Sequence, residues 1–186
     1  YLFIPTEKDI YKNKNKIFKL SKNDKILCAK YRKGHFEGVL NVMNRLLNLI
    51  KAKYIFMGEK DFQQIFLIKK YLAKKYKIKI INCKTIRDKN KIALSTRNNL
   101  LSKKNYYKVL LITKFLFTAK IRIRFTKLKL SSYLNQIIQI LEKIYNIKID
   151  YLELRNEKNL KISNLKGKYR LFIAYYIDKI RLIDNF

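Results

Sequence analysis

Four consecutive residues in the middle of the chain, Gly58–Asp61 (GEKD), have side chains suited to binding a phosphorylated ligand. Gly58 lets the backbone approach a ligand closely, and Lys60 can place its positive charge on phosphate oxygens. Glu59 and Asp61 can accept hydrogen bonds from ribose hydroxyls or join a metal shell. The alternative is a solvated charged turn in which Asp61 caps the next helix, and these residues alone leave the two interpretations even.

A second polar group, Leu94–Arg97 (LSTR), also suits a phosphate chain. Ser95 and Thr96 can donate hydrogen bonds from short side chains, and Arg97 can hold oxygens with its planar guanidinium. Taken by itself, this group is better interpreted as an ordinary polar loop before a helix.

The only histidine, His35, lies between two glycines, Gly34 and Gly38. A lone histidine is more often structural than catalytic. Because no second histidine or cysteine is nearby, a metal site is not expected there.

The elements that must position these groups follow from hydrophobic spacing. The pattern predicts a helix over Gly38–Ile50, a strand over Tyr54–Met57, a helix over Phe62–Tyr76 and a strand over Ile78–Ile81. A strand, helix, strand order indicates a parallel sheet with a right-handed crossover. Ligands bind beyond the carboxyl ends of such strands, which is where Gly58–Asp61 falls. At the start of the second helix, Gln63 or Gln64 can aim a neutral amide at a polar substrate.

The flanking regions carry further predicted elements. Tyr1–Pro5 is typical of a buried strand ended by a proline turn. After Asn99 the spacing predicts two helices and then three strands, Tyr106–Ala119, Leu134–Tyr145, Lys148–Leu154, Tyr169–Tyr176 and Lys179–Ile183.

The charge of the chain is unusual, with 44 lysines and arginines against 13 acidic residues and a formal net charge of +31. Nucleic acid is the first partner such a charge suggests. However, 35 of the 44 cations are lysines and they are spread through nearly every part of the chain, whereas phosphate and base recognition favours clustered arginines. A basic nucleic-acid-binding module therefore stays the alternative to an enzyme, and nucleic acid is not the expected partner.

Other compositional features narrow the class of protein. No apolar run approaches the roughly 18 residues that span a bilayer, so no membrane partner is expected. Cys28 and Cys83 lack metal-site spacing, and we expect both to be reduced core residues of a cytoplasmic protein.

Four motifs, in this order and spacing, resemble the pantoate–beta-alanine ligase (pantothenate synthetase) family. They are Arg32–Gly38 (RKGHFEG), Gly58–Gln64 (GEKDFQQ), Leu94–Asn98 (LSTRN) and Arg181–Asn185 (RLIDN). The GEKDFQQ run is highly specific, and the resemblance covers essentially the whole chain.

The resemblance implies an α/β fold: the C-terminal part of a Rossmann-like nucleotidyltransferase domain over residues 1–99, then a small α+β lid domain over 100–186. It implies ATP-dependent condensation of (R)-pantoate with beta-alanine through a pantoyl adenylate, releasing AMP and pyrophosphate. ATP is expected as a substrate with Mg²⁺, while the resemblance leaves any protein metal site unknown.

The resemblance also implies roles for individual residues. Lys60 would stabilise phosphate, Gln64 would hold pantoate and His35 would have a supporting role. The ATP-binding residues would be Gly58, Glu59, Lys60, Asp61, Ile86, Leu94, Ser95, Thr96 and Arg97.

Members of the family are longer, and this sequence resembles them from the late nucleotide-binding domain onward. The catalytic histidine of the family's HxGH motif is expected upstream of Tyr1, so the isolated chain is expected to be inactive, and the complete protein is expected to be a homodimer. Three positions depart from the family pattern. Thr96 replaces a serine, Lys33 replaces a common proline, and Asn90-Lys91 replaces an Asp-Gly turn.

Overall fold

The computed structural model describes residues 1–11, 18–163, 165 and 167–186. The chain forms two compact units, Tyr1–Lys84 and Thr85–Phe186. The division lies earlier than the predicted domain boundary at residue 99, because residues of the 85–99 segment bond to the last strand of the second unit. Arg87 pairs with Asp184, and Arg97 donates to the carbonyl of Arg181. The functional boundary stays a prediction.

The first unit contains five α-helices and one pair of strands among its described residues. The helices are α1 (Glu7–Ile10), α2 (Cys28–Tyr31), α3 (His35–Ile50), α4 (Phe62–Ile68) and α5 (Lys74–Tyr76), and the strands are β1 (Tyr54–Gly58) and β2 (Lys79–Cys83). A π-helical turn, Lys69–Ala73, joins α4 to α5. The predicted strand, helix, strand unit is confirmed.

The two strands of this unit are parallel, and Gly58 at the end of β1 lies opposite Cys83 at the end of β2. Apolar faces of the helices build the core around them. Phe36, Leu40 and Leu47 on α3 are buried, as are Ile65 and Ile68 on α4. Spacings of three, four and seven residues place each set on one helix face.

Two expectations for the first unit are wrong. Residues 1–5 form no strand and Tyr1–Ile4 are exposed, and within the described residues β1 pairs only with β2. Cys83 is exposed rather than in the core, since it is the last residue of β2, whereas Cys28 is buried as expected.

The second unit packs two helices against an antiparallel sheet. The helices are α6 (Lys103–Arg122) and α7 (Leu130–Tyr145), and the strands, in the order β3-β4-β5, are β3 (Lys148–Asn156), β4 (Tyr169–Ile177) and β5 (Ile180–Asn185). Ile112, Leu116 and Leu141 from the helices join Leu154 and Leu171 from the sheet in one core. The predicted α/β fold, with a parallel sheet followed by a small α+β part, is confirmed.

Candidate functional site

The glycine at the end of β1 is required neither by its backbone conformation nor by packing. Gly58 has φ −69° and ψ 129°, which any residue can adopt. A Cβ atom added to it would meet no atom of the described residues within 4 Å. The exposed backbone at Gly58 therefore leaves room for a ligand to approach the carboxyl edge of the sheet.

The charged residues after Gly58 form one turn of 3-10 helix, Glu59–Asp61, and α4 begins at Phe62. Glu59 and Lys60 are half-buried and Asp61 is exposed. Asp61 occupies the N-cap position of α4, but its side chain makes no capping hydrogen bond. The alternative role of Asp61 as a structural helix cap is not supported.

The two glutamines at the start of α4 have different environments. Gln63 is buried, and its side-chain amide donates to the carbonyl of Ile26 at 2.7 Å while its oxygen accepts from the N–H of Cys28 at 3.1 Å. Gln64 is half-buried and makes no side-chain hydrogen bond within the described part of the chain. Of the two amides, only that of Gln64 can be aimed at a substrate.

The segment held by Gln63 is strained and has a second anchor. Leu27, between the two bonded peptides, is buried with φ 48° and ψ −130°, a conformation that L-residues rarely adopt. Three residues upstream, the buried carboxylate of Asp24 accepts from Lys70, Tyr71 and Ser21 at 2.6–2.8 Å. Burial raises the pKa of Asp24, but these hydrogen bonds outweigh it and lower the pKa below its ordinary value. No sequence signal predicted this anchor.

His35 begins α3, and the glycine before it is conformationally required. Gly34 has φ +78°, in the left-handed region that favours glycine. The ring of His35 is half-buried and lies 4.9 Å from that of Phe36, tilted by 52°. The supporting role expected for His35 stays a prediction.

In the second unit, a short antiparallel hairpin precedes the Ser-Thr-Arg group. The carbonyl of Ile86 accepts from the N–H of Leu94 at 3.0 Å, and the N–H of Asp88 donates to the carbonyl of Ile92 at 3.0 Å. The Ile86 N–H donates to none of the described residues. In the turn, Lys91 has φ +67°, a left-handed conformation that costs a lysine roughly 1–2 kcal/mol.

The Leu94–Arg97 group opens a 3-10 helix, Thr96–Leu100. The hydroxyl oxygen of Ser95 caps this helix by accepting from the N–H of Arg97 at 3.3 Å, and its proton is still available for donation. Thr96 and Leu94 are exposed. The guanidinium of Arg97 is exposed and uses one N–H to bind the carbonyl of Arg181 at 3.0 Å, so further donors are available.

The hairpin turn is stabilised by the carboxylate of Asp88, which sequence reasoning did not identify. It accepts from the N–H groups of Asn90 and Ile92 at 2.8 and 2.9 Å, and from the hydroxyl of Tyr106 on α6. Desolvation raises the pKa of Asp88, but these three hydrogen bonds together lower it below its ordinary value. The same contact raises the pKa of Tyr106.

We expect this carboxylate to make the protein sensitive to acid. A carboxyl group whose pKa is lower in the folded state stabilises the fold above its unfolded pKa, near 3.8, and that stability is lost as pH falls through the folded pKa. The urea midpoint, measured between pH 7 and pH 2, should fall less steeply in Asp88→Asn than in the wild type.

Tyr106→Phe supplies the matched variant for this measurement. It keeps the carboxylate and removes a donor that lowers its pKa, so it should also make the acid dependence shallower. An acid dependence identical to the wild type in both variants would contradict the assignment.

The site residues are thus divided between the two units. Gly58–Gln64 and His35 belong to the first, and Ile86 and Leu94–Arg97 belong to the second. Within the described residues, no group of three or more histidine, cysteine, aspartate or glutamate side chains could hold a metal ion, and no helix among them is long and apolar enough to cross a membrane.

A parallel strand, helix, strand unit with a phosphate-suited turn at its carboxyl edge, followed by a small antiparallel unit, defines a nucleotidyltransferase-like α/β protein. The chain belongs to the pantoate-beta-alanine ligase family, whose model matches residues 1–186.

Relatives and solved structures agree with this family. The chain is 35% identical over 189 residues to a pantothenate synthetase of Leptospira interrogans, covering 99% of this chain and 66% of that protein. It is 32% identical to one of Flavobacterium psychrophilum, covering 99% and 67%. The chain therefore spans about two thirds of the length of these relatives.

Two solved structures are similar in fold. Pantothenate synthetase of Thermus thermophilus matches with a TM-score of 0.86 at 22% identity, over 98% of this chain and 67% of that one. Pantoate-beta-alanine ligase of Francisella tularensis, complexed with beta-gamma ATP and beta-alanine, matches with a TM-score of 0.74 at 34% identity, over 97% and 61%.

Proposed function

We propose that this chain is the larger part of a ligase that condenses (R)-pantoate with beta-alanine at the expense of ATP, forming pantothenate, AMP and pyrophosphate. The observation that carries the proposal is the Gly58–Gln64 turn at the end of β1. It combines an open backbone approach at Gly58 with a half-buried lysine and the uncommitted amide of Gln64.

In the first proposed step, a carboxylate oxygen of pantoate attacks the α-phosphorus of ATP. The bond from that phosphorus to the bridging oxygen breaks, pyrophosphate leaves and pantoyl adenylate forms. The protein must place two anions together, so catalysis rests on positioning and on neutralising phosphate charge. Lys60 neutralises phosphate charge, Gln64 binds pantoate, and Gly58, Glu59 and Asp61 contact the ribose side of ATP.

The proposal also assigns ATP contacts to residues of the second unit. Ser95, Thr96 and Arg97 donate to phosphate oxygens from a loop that begins at Leu94. The backbone of Ile86, whose N–H is not used by described residues, contacts adenine. Mg²⁺ bound with ATP would help to neutralise phosphate charge, and the carboxylate of Glu59 or Asp61 would be available to join its shell.

In the second step, the amine of beta-alanine attacks the acyl carbon of the adenylate. The acyl–oxygen bond to AMP breaks, AMP leaves and an amide forms, while the amine loses a proton. The Francisella tularensis ligase, which binds beta-alanine, supports this amine as the acceptor. His35 has a supporting role on the pantoate side, and the resemblance places the catalytic histidine of the HxGH motif outside this chain.

We expect the isolated 186-residue chain to form no pantothenate from ATP, pantoate and beta-alanine, because the HxGH half of the nucleotide site is not in it. The complete protein, proposed to be a cytoplasmic homodimer, should form it. Product can be followed by chromatography with radiolabelled beta-alanine. Turnover by the isolated chain would contradict the requirement for the HxGH motif. Inactivity of the complete protein would contradict the proposed function.

A further inference from the structure

The terminal motif Arg181–Asn185 forms β5, and the proposed reaction gives it no task. β5 lies at the edge of the antiparallel sheet, paired with β4. Its residues nevertheless bond to the segment that carries the Ser-Thr-Arg group. This link lies entirely within the second unit.

The main link is the guanidinium of Arg87. It forms a two-bond ion pair with the carboxylate of Asp184, with N–O distances of 2.7 and 2.9 Å. Two further N–H···O bonds, both 2.9 Å, reach the carbonyls of Asn185 and Lys91. A single side chain therefore joins the hairpin turn to the end of β5.

The environment of the pair makes this link rigid. The side chains of Arg87 and Asp184 are only 18% and 10% exposed. The guanidinium carbon also lies 5.2 Å from the ring centres of both Phe117 and Phe186. Screening by water is weak at such a site. Because hydrogen bonds hold the planar guanidinium and two aromatic rings pack against it, the side chain has little conformational freedom.

Two more contacts complete the anchoring. Asp88, the next residue, bonds to Tyr106 on α6, so consecutive side chains tie the hairpin to a helix and to the sheet. Arg97 donates to the carbonyl of Arg181 at the start of β5. The segment from Arg87 to Arg97 is thus attached to β5 near both of its ends.

We propose that the Arg87–Asp184 pair is a positioning device for the phosphate-binding group Ser95–Arg97, so that β5 sets the place of that group. The proposal rests on the function proposed above. It assigns Arg87 and Asp184 no contact with substrate, and they act through the hairpin and the loop that follows it.

The test uses Asp184→Asn and Arg87→Lys in the complete ligase. Asp184→Asn keeps the shape and removes the charge, whereas Arg87→Lys keeps the charge and loses the two-bond geometry. In pyrophosphate–ATP exchange, which reports adenylate formation, we expect KM for ATP to rise about tenfold or more in both variants. KM for beta-alanine, which enters after the adenylate, should change less than twofold.

Asp150→Asn is the matched control. Asp150 pairs with the side chain of Arg181 at 2.8 Å in the same sheet, and both side chains are similarly buried at 6% and 12% exposure. The bond from Arg97 reaches the backbone carbonyl of Arg181 and not the side chain that pairs with Asp150. Loss of the Asp150 carboxylate leaves that bond in place, so Asp150→Asn should lower the melting temperature without raising KM for ATP.

A second readout does not depend on turnover. Amide hydrogen exchange at residues 95–97 should be faster in Asp184→Asn and Arg87→Lys than in Asp150→Asn. If Asp184→Asn and Arg87→Lys have the same KM for ATP and the same exchange rates as Asp150→Asn in an active enzyme, the positioning role is overturned. If the wild-type ligase forms no pantothenate, the proposed function and this kinetic role fail together. The hydrogen-exchange rates at residues 95–97 still show whether the Arg87–Asp184 pair holds that group in place.

Discussion

Replacing Lys60 with alanine in the complete ligase is expected to lower kcat for pantothenate formation about 10²- to 10³-fold. That is the usual loss when one group that stabilises transition-state charge is removed. Lys60 lies half-buried in the turn after β1, where its charge is screened less than at the open surface. Pyrophosphate–ATP exchange should fall by the same factor, because Lys60 acts in adenylate formation.

The matched control is Lys74→Ala, which removes one exposed lysine from α5. If phosphate ligands were attracted only by the net charge of +31, the two variants would have the same kcat, because each removes one positive charge. We expect Lys74→Ala to keep kcat within about twofold. Equal losses in the two variants would contradict a specific role for Lys60 and would favour a purely electrostatic surface.

Hydrophobic spacing predicted the elements that position the site because each carries its own local pattern. The strand Tyr54–Met57 extends to Gly58, and the helix Gly38–Ile50 begins earlier, at His35. These differences of one to three residues come from backbone caps and turns rather than from the core face. The carboxyl edge of β1 could therefore be located from sequence.

Pairing between distant segments could not be predicted in the same way. Tyr1–Pro5 has an apolar, strand-like composition, but a strand also needs a neighbour to accept its backbone hydrogen bonds. Arg87 and Asp184 are far apart in the chain, and each alone is an ordinary charged residue. Only the fold shows that they meet, and that the terminal motif Arg181–Asn185 holds the hairpin.

The resemblance to the family identified candidate site residues, and the structure distinguishes a structural role from a binding role for two of them. The sequence predicted that one of two adjacent glutamines could face a substrate. The choice of Gln64 came from the resemblance alone. The structure supplies an independent reason, because Gln63 uses both ends of its amide on the backbone of Ile26 and Cys28.

Opposite results are therefore expected for alanine at these two neighbouring positions. Gln64→Ala removes an amide that makes no hydrogen bond within the described residues, so the free energy of unfolding should change by less than about 0.5 kcal/mol. KM for pantoate should rise about 10- to 100-fold, because a hydrogen bond to a charged ligand contributes about 1.5–3 kcal/mol. Steady-state kinetics with varied pantoate and urea unfolding measure the two effects.

Gln63→Ala should have its main effect on stability. It removes the acceptor of the Cys28 N–H and one of the two donors to the carbonyl of Ile26, which also accepts from the N–H of Ala29. It also releases the strained turn at Leu27. A buried group that loses its hydrogen bond costs about 1–3 kcal/mol, so we expect the free energy of unfolding to fall by about 1–3 kcal/mol. KM for pantoate should stay within about threefold while the protein is folded. A Gln64→Ala variant that unfolds as easily as Gln63→Ala, with unchanged KM, would show that both glutamines are structural, and the pantoate site would then have to be sought on another element.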